Sequence, residues 1–261
     1  MLEILKILRF LIIFIYGAFI GCFSNNFIDY FIEKAEDENN EKKHKLNVKD
    51  FTYNCGCKRK GVDSLPIIGY LRNKGICSIC GEKINIRYFF VEVVMGILFC
   101  IEMYVNKSFV NGFLFCLVIA GLVILSIVDF ETYEIPVEIN YFILGIGIIV
   151  TIMDYKNFLE HIIGLILVSG FIYIIIYLSN GRAMGGGDCK LMATCGLLLG
   201  WKLILVSFVI GCILGSIIHI IRIKISNEPK VLALGPYLSI GIYIAMLYGN
   251  KLIGMYMSLY K

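Results

Sequence analysis

Long apolar runs separated by short polar stretches dominate this chain. Eight apolar segments recur, at residues 5–27, 88–105, 109–128, 138–153, 158–178, 191–200, 203–221 and 235–256. A helix needs roughly 17–25 apolar residues to cross a bilayer, and most of these segments reach that length. We therefore predict an all-α polytopic membrane protein with seven to eight transmembrane helices. The short segment 191–200 is expected to form a broken or re-entrant helix together with the glycines before it.

One sizeable polar region interrupts the apolar pattern and divides the chain into three parts. Residues 1–28 lack a convincing small-residue cleavage site, so they predict a retained first transmembrane helix. Residues 29–88 form the polar part, which begins with a charged stretch typical of a solvated linker. His44 lies in that stretch and is expected to be solvated. Residues 89–261 contain the remaining apolar segments.

The composition supports a membrane protein and indicates its orientation. Apolar residues make up 59% of the 261 residues, above the roughly 45–50% of soluble domains. The net charge of +4 is too small to indicate nucleic-acid binding. The predicted topology places 17 of the 24 basic residues on the side of residues 29–88. The positive-inside rule then makes that side cytoplasmic.

Two aspartates fall at the ends of apolar segments on this same membrane face. Asp129 ends the segment 109–128, and Asp188 precedes the segment 191–200. A close carboxylate pair shares a proton, so one group can activate a water while the other polarises a peptide carbonyl. Each aspartate also has a purely structural interpretation, because Asp188 suits a helix N-cap and Asp129 suits the end of a helix at the interface.

Several motifs resemble those of the prepilin peptidases, which are membrane aspartic proteases with a glycine-x-glycine-aspartate signature. "GGGDCKLMATCGLLLG" resembles the second active-site motif of that family, and "VDFETYEIP" resembles its first. "GPYLSIG" near the C-terminus is similar to the start of the family's last helix. The stretch from "DSLPIIGY" to "VEVV" resembles the passage from its cysteine-bearing domain into the second span.

The resemblance implies a function and a catalytic pair. Asp129 and Asp188 would form the catalytic dyad of a peptidase that removes the basic leader from type IV prepilin-like proteins, including pseudopilins, at the cytoplasmic membrane face. Residues 89–261 would be the peptidase domain. Bifunctional members also methylate the new N-terminus with S-adenosylmethionine, an activity associated with residues 29–88. The open alternatives are a protease-only member, an ion- or proton-coupled transporter that uses both aspartates, and a non-catalytic assembly protein of a secretion machine.

Four cysteines in the polar region have the spacing of a metal site. Cys55 and Cys57 form a C-x-C pair, and Cys77 and Cys80 form a C-x-x-C pair after nineteen further residues. Four thiolates close a tetrahedral structural zinc site, which has no open position for catalysis. Disulfides or free thiols are the alternatives, and a cytoplasmic location argues against disulfides. The resembled family has C-x-x-C in both pairs, so the first pair departs from its pattern.

Further charged residues suggest weaker hypotheses. The loop from Asp129 to Glu138 carries only acidic charges, including Glu131 and Glu134, and we hypothesise that it attracts the basic leader. Glu92 and Arg87 are expected at the membrane interface, where long basic side chains keep their charge in water. The remaining histidines, His161 and His219, lie in apolar segments and are expected to be packed, hydrogen-bonded residues.

Overall fold

The computed structural model describes most of the chain as helices. The described residues are 2–36, 52–53, 55–59, 61–106, 108–226 and 232–259; most of the predicted linker, with His44, lies outside them. The helices in this part of the chain are α1 (Leu2–Glu36), α2 (Ile68–Arg72), α3 (Arg87–Val105), α4 (Phe109–Thr132), α5 (Val137–Met153), α6 (Phe158–Leu178), α7 (Gly186–Leu199), α8 (Trp201–Ser226) and α9 (Gly235–Ser258). The chain divides into two compact units, Met1–Ile124 and Leu125–Lys261.

The lengths of the helices confirm a polytopic all-α membrane protein. Among the described residues, six helices are long and apolar enough to cross a membrane, namely α1, α3, α4, α6, α8 and α9. The apolar helix α5 has 17 residues and α7 has 14. At 1.5 Å per residue α7 is about 21 Å long, which is shorter than the hydrocarbon core of about 30 Å. The cysteine-bearing insertion lies between α1 and α3, as predicted.

In the first unit, glycines bring α1 against α3. A Cβ placed on Gly17 would lie 2.9 Å from the Cα of Gly96, and one on Gly21 would lie 2.8 Å from the Cα of Glu92. Only glycine permits backbones to approach this closely, and small residues serve the same purpose at helix contacts in membranes. The two helices therefore form a tight pair beneath the cysteine-bearing segment.

Glu92, which is expected at the membrane interface, is buried within the protein. Its side chain is 2% exposed and pairs with Arg59, whose Nη1 lies 2.9 Å from Oε1. The Ile67 N–H donates to Oε2 at 2.5 Å, and the Arg59 guanidinium lies 4.2 Å from the centre of the Tyr53 ring. A buried carboxylate is tolerated when it is paired and hydrogen-bonded in this way. Arg87 pairs with Asp29.

In the second unit, α7 is held between α5 and α6. A Cβ on Gly164 of α6 or on Gly196 of α7 would overlap the carbonyl oxygen of the other residue. On the opposite side, the Thr151 hydroxyl of α5 donates to the Leu197 carbonyl at 3.3 Å. His161 also contacts that carbonyl through Nδ1, at 2.7 Å, and is buried. The packed, hydrogen-bonded role expected for His161 is what the structure shows.

Candidate active site

Asp129 lies in the last turn of α4, just before an ordered turn. The Thr132 hydroxyl donates to the Val128 carbonyl at 2.8 Å and accepts the Glu134 N–H at 3.3 Å. Tyr133 takes a left-handed backbone conformation with φ 58°, which side-chain-bearing residues rarely adopt. The turn ends at Pro136, whose extended backbone precedes the first residue of α5. Local hydrogen bonds therefore fix how the chain leaves the aspartate.

Asp188 lies in the first turn of α7 and caps that helix. Its Oδ2 accepts the N–H of Gly185, the N-cap residue, at 3.3 Å, which is the bond that an acidic residue at the third helical position makes in a capping box. Gly185 therefore occupies the N-cap position expected for Asp188, and Asp188 caps the helix from its third position. The glycine before it is packed tightly, because a Cβ on Gly187 would lie 2.8 Å from the Cβ of Ile135. This contact places the two sequence motifs side by side.

The start of α9 supplies a backbone donor to Asp129. The Gly235 N–H donates to Asp129 Oδ2 at 2.8 Å, and a Cβ on Gly235 would lie 2.7 Å from the same oxygen. Glycine is thus the residue that lets the chain approach the carboxylate. Asp129 is 4% exposed and Asp188 is 8% exposed, so both carboxyls are largely withdrawn from water.

The two aspartates line one cavity. It has a volume of about 460 Å³, and a second cavity of about 280 Å³ is also lined by both aspartates. The structure therefore brings together two carboxyls that are 59 positions apart in the sequence. Nothing lies within 4 Å of a Cβ placed on Gly186, so the glycine stretch leaves open space beside them. A buried carboxyl pair next to open space can act on a water and an extended peptide.

Sequence reasoning missed three residues that line the larger cavity. They are Tyr133, Arg182 and His219. For His219 the expectation was a packed residue, whereas its side chain contributes to a cavity wall. The alternating direction of successive spans could have indicated the position of His219, because it places the C-terminal end of α8 on the same membrane face as both aspartates.

The four cysteines predicted to bind zinc lie together in the first unit. The Sγ atoms of Cys55, Cys57, Cys77 and Cys80 all lie within 4.8 Å of one another. Tetrahedral zinc with Zn–S bonds of about 2.3 Å requires sulfurs about 3.8 Å apart, so the donor set fits this ion. All four are free thiols rather than disulfides.

Two small turns explain how the unequal cysteine spacings converge. Isolated antiparallel bridges pair Thr52 with Lys58 and Ile76 with Lys83, and each turn carries one cysteine pair. Gly56 separates the first pair with φ 73°. That left-handed glycine reverses the chain within a single residue, which allows C-x-C in place of C-x-x-C.

The cysteine cluster packs with a small hydrophobic core of its own, and one of its thiols has a lowered pKa. Tyr53, Ile84 and Tyr88 are buried around Cys77. Burial raises the pKa of Cys77, but hydrogen bonds from the backbone N–H groups of Cys80 and Ile79, together with those from the Cys80 and Cys55 side chains, lower that pKa to about 7. Metals bind the thiolate form of cysteine, so this thiol is prepared to be a ligand.

Comparison with known proteins identifies the family. Residues 116–220 match the model of the type IV leader peptidase family, and residues 15–106 match the bacterial peptidase A24 N-terminal domain. A prepilin leader peptidase/N-methyltransferase of Legionella pneumophila is 30% identical over 234 residues, covering 84% of this chain and 80% of that protein. The chain belongs to the type IV leader peptidase family.

Other members of the type IV leader peptidase family span most of the chain as well. A protein of the same name from Pseudomonas putida is 27% identical over 214 residues, covering 78% of this chain and 74% of the relative. One from Bacillus subtilis strain 168 is 27% identical over 205 residues, covering 75% and 79%. No solved structure matches the chain. The peptidase match contains both aspartates, and the N-terminal match contains all four cysteines.

Proposed function

We propose that this protein is a membrane aspartic endopeptidase that removes the basic leader from type IV prepilins or pseudopilins at the cytoplasmic membrane face. The observation that carries the proposal is the pair of buried carboxyls, Asp129 and Asp188, in one cavity. The names of the relatives support the substrate class. The distribution of basic residues supports the cytoplasmic orientation.

The geometry suits hydrolysis by an activated water. One carboxylate takes a proton from water while the other, protonated, donates a hydrogen bond to the scissile carbonyl and later protonates the leaving amine. The Gly235 N–H orients Asp129, and the Gly185 N–H orients Asp188. Because water attacks directly, no covalent enzyme intermediate forms.

A second activity, methylation of the new N-terminus, is favoured by the match of residues 15–106 to the family's N-terminal domain and by the names of the relatives. S-adenosylmethionine would supply the methyl group. We assign zinc to the four cysteines as a structural ion that clamps the two turns together. We also propose the division into a first span (1–28), a cytoplasmic cysteine-bearing domain (29–88) and a peptidase domain (89–261).

Replacing each aspartate by asparagine tests the peptidase. The full chain in lipid vesicles is given a prepilin-like substrate, and cleavage is followed by gel shift. Asp129→Asn and Asp188→Asn should each lose at least about a hundredfold in rate, because each removes one partner of the acid–base pair. Asp154→Asn is the matched control, since the side chain of Asp154 is half exposed and lines neither cavity. Cleavage that survives both dyad substitutions would overturn the proposal, and mass analysis of the product reports methylation.

A further inference from the structure

Two cavities meet at the carboxyl pair. They share Asp129, Tyr133, Gly185 and Asp188, and all their other lining residues differ. A peptide that contacts the carboxyl pair can therefore extend into either cavity. We refer to the cavity of about 460 Å³ as the large lobe and to that of about 280 Å³ as the small lobe.

The two lobes carry different charges beyond the shared aspartates. Among the described residues, Arg182 supplies a positive charge to the large lobe. In the small lobe, the charges of Glu134 and Lys190 cancel. The large lobe is thus more positive than the small lobe by one full charge.

The lobes also differ in their apolar lining. Met184, Leu232 and Leu234 contribute to the wall of the large lobe. The small lobe is lined by the backbone of Gly186 and Gly187, with Ile135 and Val137. The large lobe can therefore accept bulky apolar side chains, whereas the small lobe also exposes the main chain of three glycines to an extended peptide.

We propose that Arg182 is a specificity-determining residue that fixes the direction in which the substrate lies across the carboxyls. Its charge repels the basic leader from the large lobe, so the leader occupies the small lobe and the mature segment occupies the large one. Arg182 then selects against a basic residue soon after the scissile bond and favours an acidic one. The inference rests on the proposed peptidase function and adds a charge preference on the mature side.

A charge-swap experiment tests this preference. Three prepilin-like substrates carry Glu, Gln or Lys at the second residue after the scissile bond and are otherwise identical. The full chain in vesicles should cleave the Glu substrate about tenfold faster, in kcat/KM, than the Lys substrate. Arg182→Gln should bring this ratio near one, and Arg182→Glu should invert it. Lys156→Glu is the matched control, because exposed Lys156 lines neither lobe and its substitution should keep the wild-type ratio.

The outcomes separate this inference from the proposed function. The inference is overturned if both Arg182 variants keep the wild-type ratio of Glu to Lys cleavage rates. It is also overturned if both variants lose kcat/KM equally on all three substrates. Cleavage of the Gln substrate shows that each variant has a working site. If Asp129→Asn and Asp188→Asn still cleave the Gln substrate, the peptidase proposal itself fails. If these two variants do not cleave the Gln substrate, and the Glu-to-Lys rate ratio is unchanged by the Arg182 substitutions, only the proposed role of Arg182 fails.

Discussion

Replacing Gly187 by alanine should slow leader cleavage about a hundredfold, whereas the same change at Gly186 should not. The new Cβ at residue 187 would lie 2.8 Å from the Cβ of Ile135, while carbon atoms in contact prefer about 3.5–4.0 Å. The shortfall is roughly 0.7–1.2 Å. No side-chain rotation relieves it, because both atoms are attached directly to the backbone. The start of α7, with Asp188, must therefore move by about 1 Å, and such a displacement can cost about a hundredfold in rate.

The matched control lies next to it in the sequence. A Cβ added to Gly186 would meet open space, and neither glycine has the left-handed backbone that an alanine would strain. The assay is kcat/KM for a prepilin-like substrate in vesicles, with the protein amount in the membrane measured alongside. Adding Ile135→Gly to Gly187→Ala removes the clashing atom and should restore part of the rate. Equal activity of the two single variants would refute the reasoning.

Two further predictions concern the metal cluster and the acidic loop. Gly56→Ala should weaken zinc binding about tenfold, because alanine in a left-handed backbone conformation costs about 1–2 kcal/mol. Competition with a chromophoric chelator measures the zinc affinity. An unchanged affinity would contradict the role of the Gly56 turn. Glu134→Lys should slow cleavage of basic leaders more than neutral ones, and more than Glu131→Lys does, because Glu134 lines the small lobe. If cleavage of basic and neutral leaders slows equally, the acidic loop does not take part in leader recognition.

The hydrophobic pattern predicted the helices well and their polar ends less well. The apolar segment 109–128 stops before Asp129, yet α4 continues to Thr132 because the Thr132 hydroxyl bonds back to the helix. The segment 191–200 begins five residues after the start of α7 at Gly186. Hydropathy does not register a helical turn made of glycine and aspartate, and the capping bond of Asp188 is what stabilises it there.

Tertiary partners account for what the sequence did not reveal. Asp129 follows one apolar segment and Asp188 precedes another on the same membrane face, which predicted that they would meet. The Gly235 N–H that bonds Asp129 is a backbone group, so hydropathy and charge do not reveal this contact. The burial of Glu92 depends on Arg59, which lies 33 positions away in an irregular segment. Periodicity carries no information about such a pair, so the sequence does not reveal the burial of the carboxylate.

The buried ion pair of Glu92 has a consequence for how the protein enters the membrane. Glu92 lies in an apolar helix, α3, that must be accepted by the bilayer during synthesis, and a charge within a span costs up to about 3 kcal/mol on insertion. Arg59 and the Ile67 N–H offset that cost by contacting the Glu92 carboxylate. The stability of α3 in the bilayer is therefore coupled to the packing of Arg59 and Ile67 against this helix.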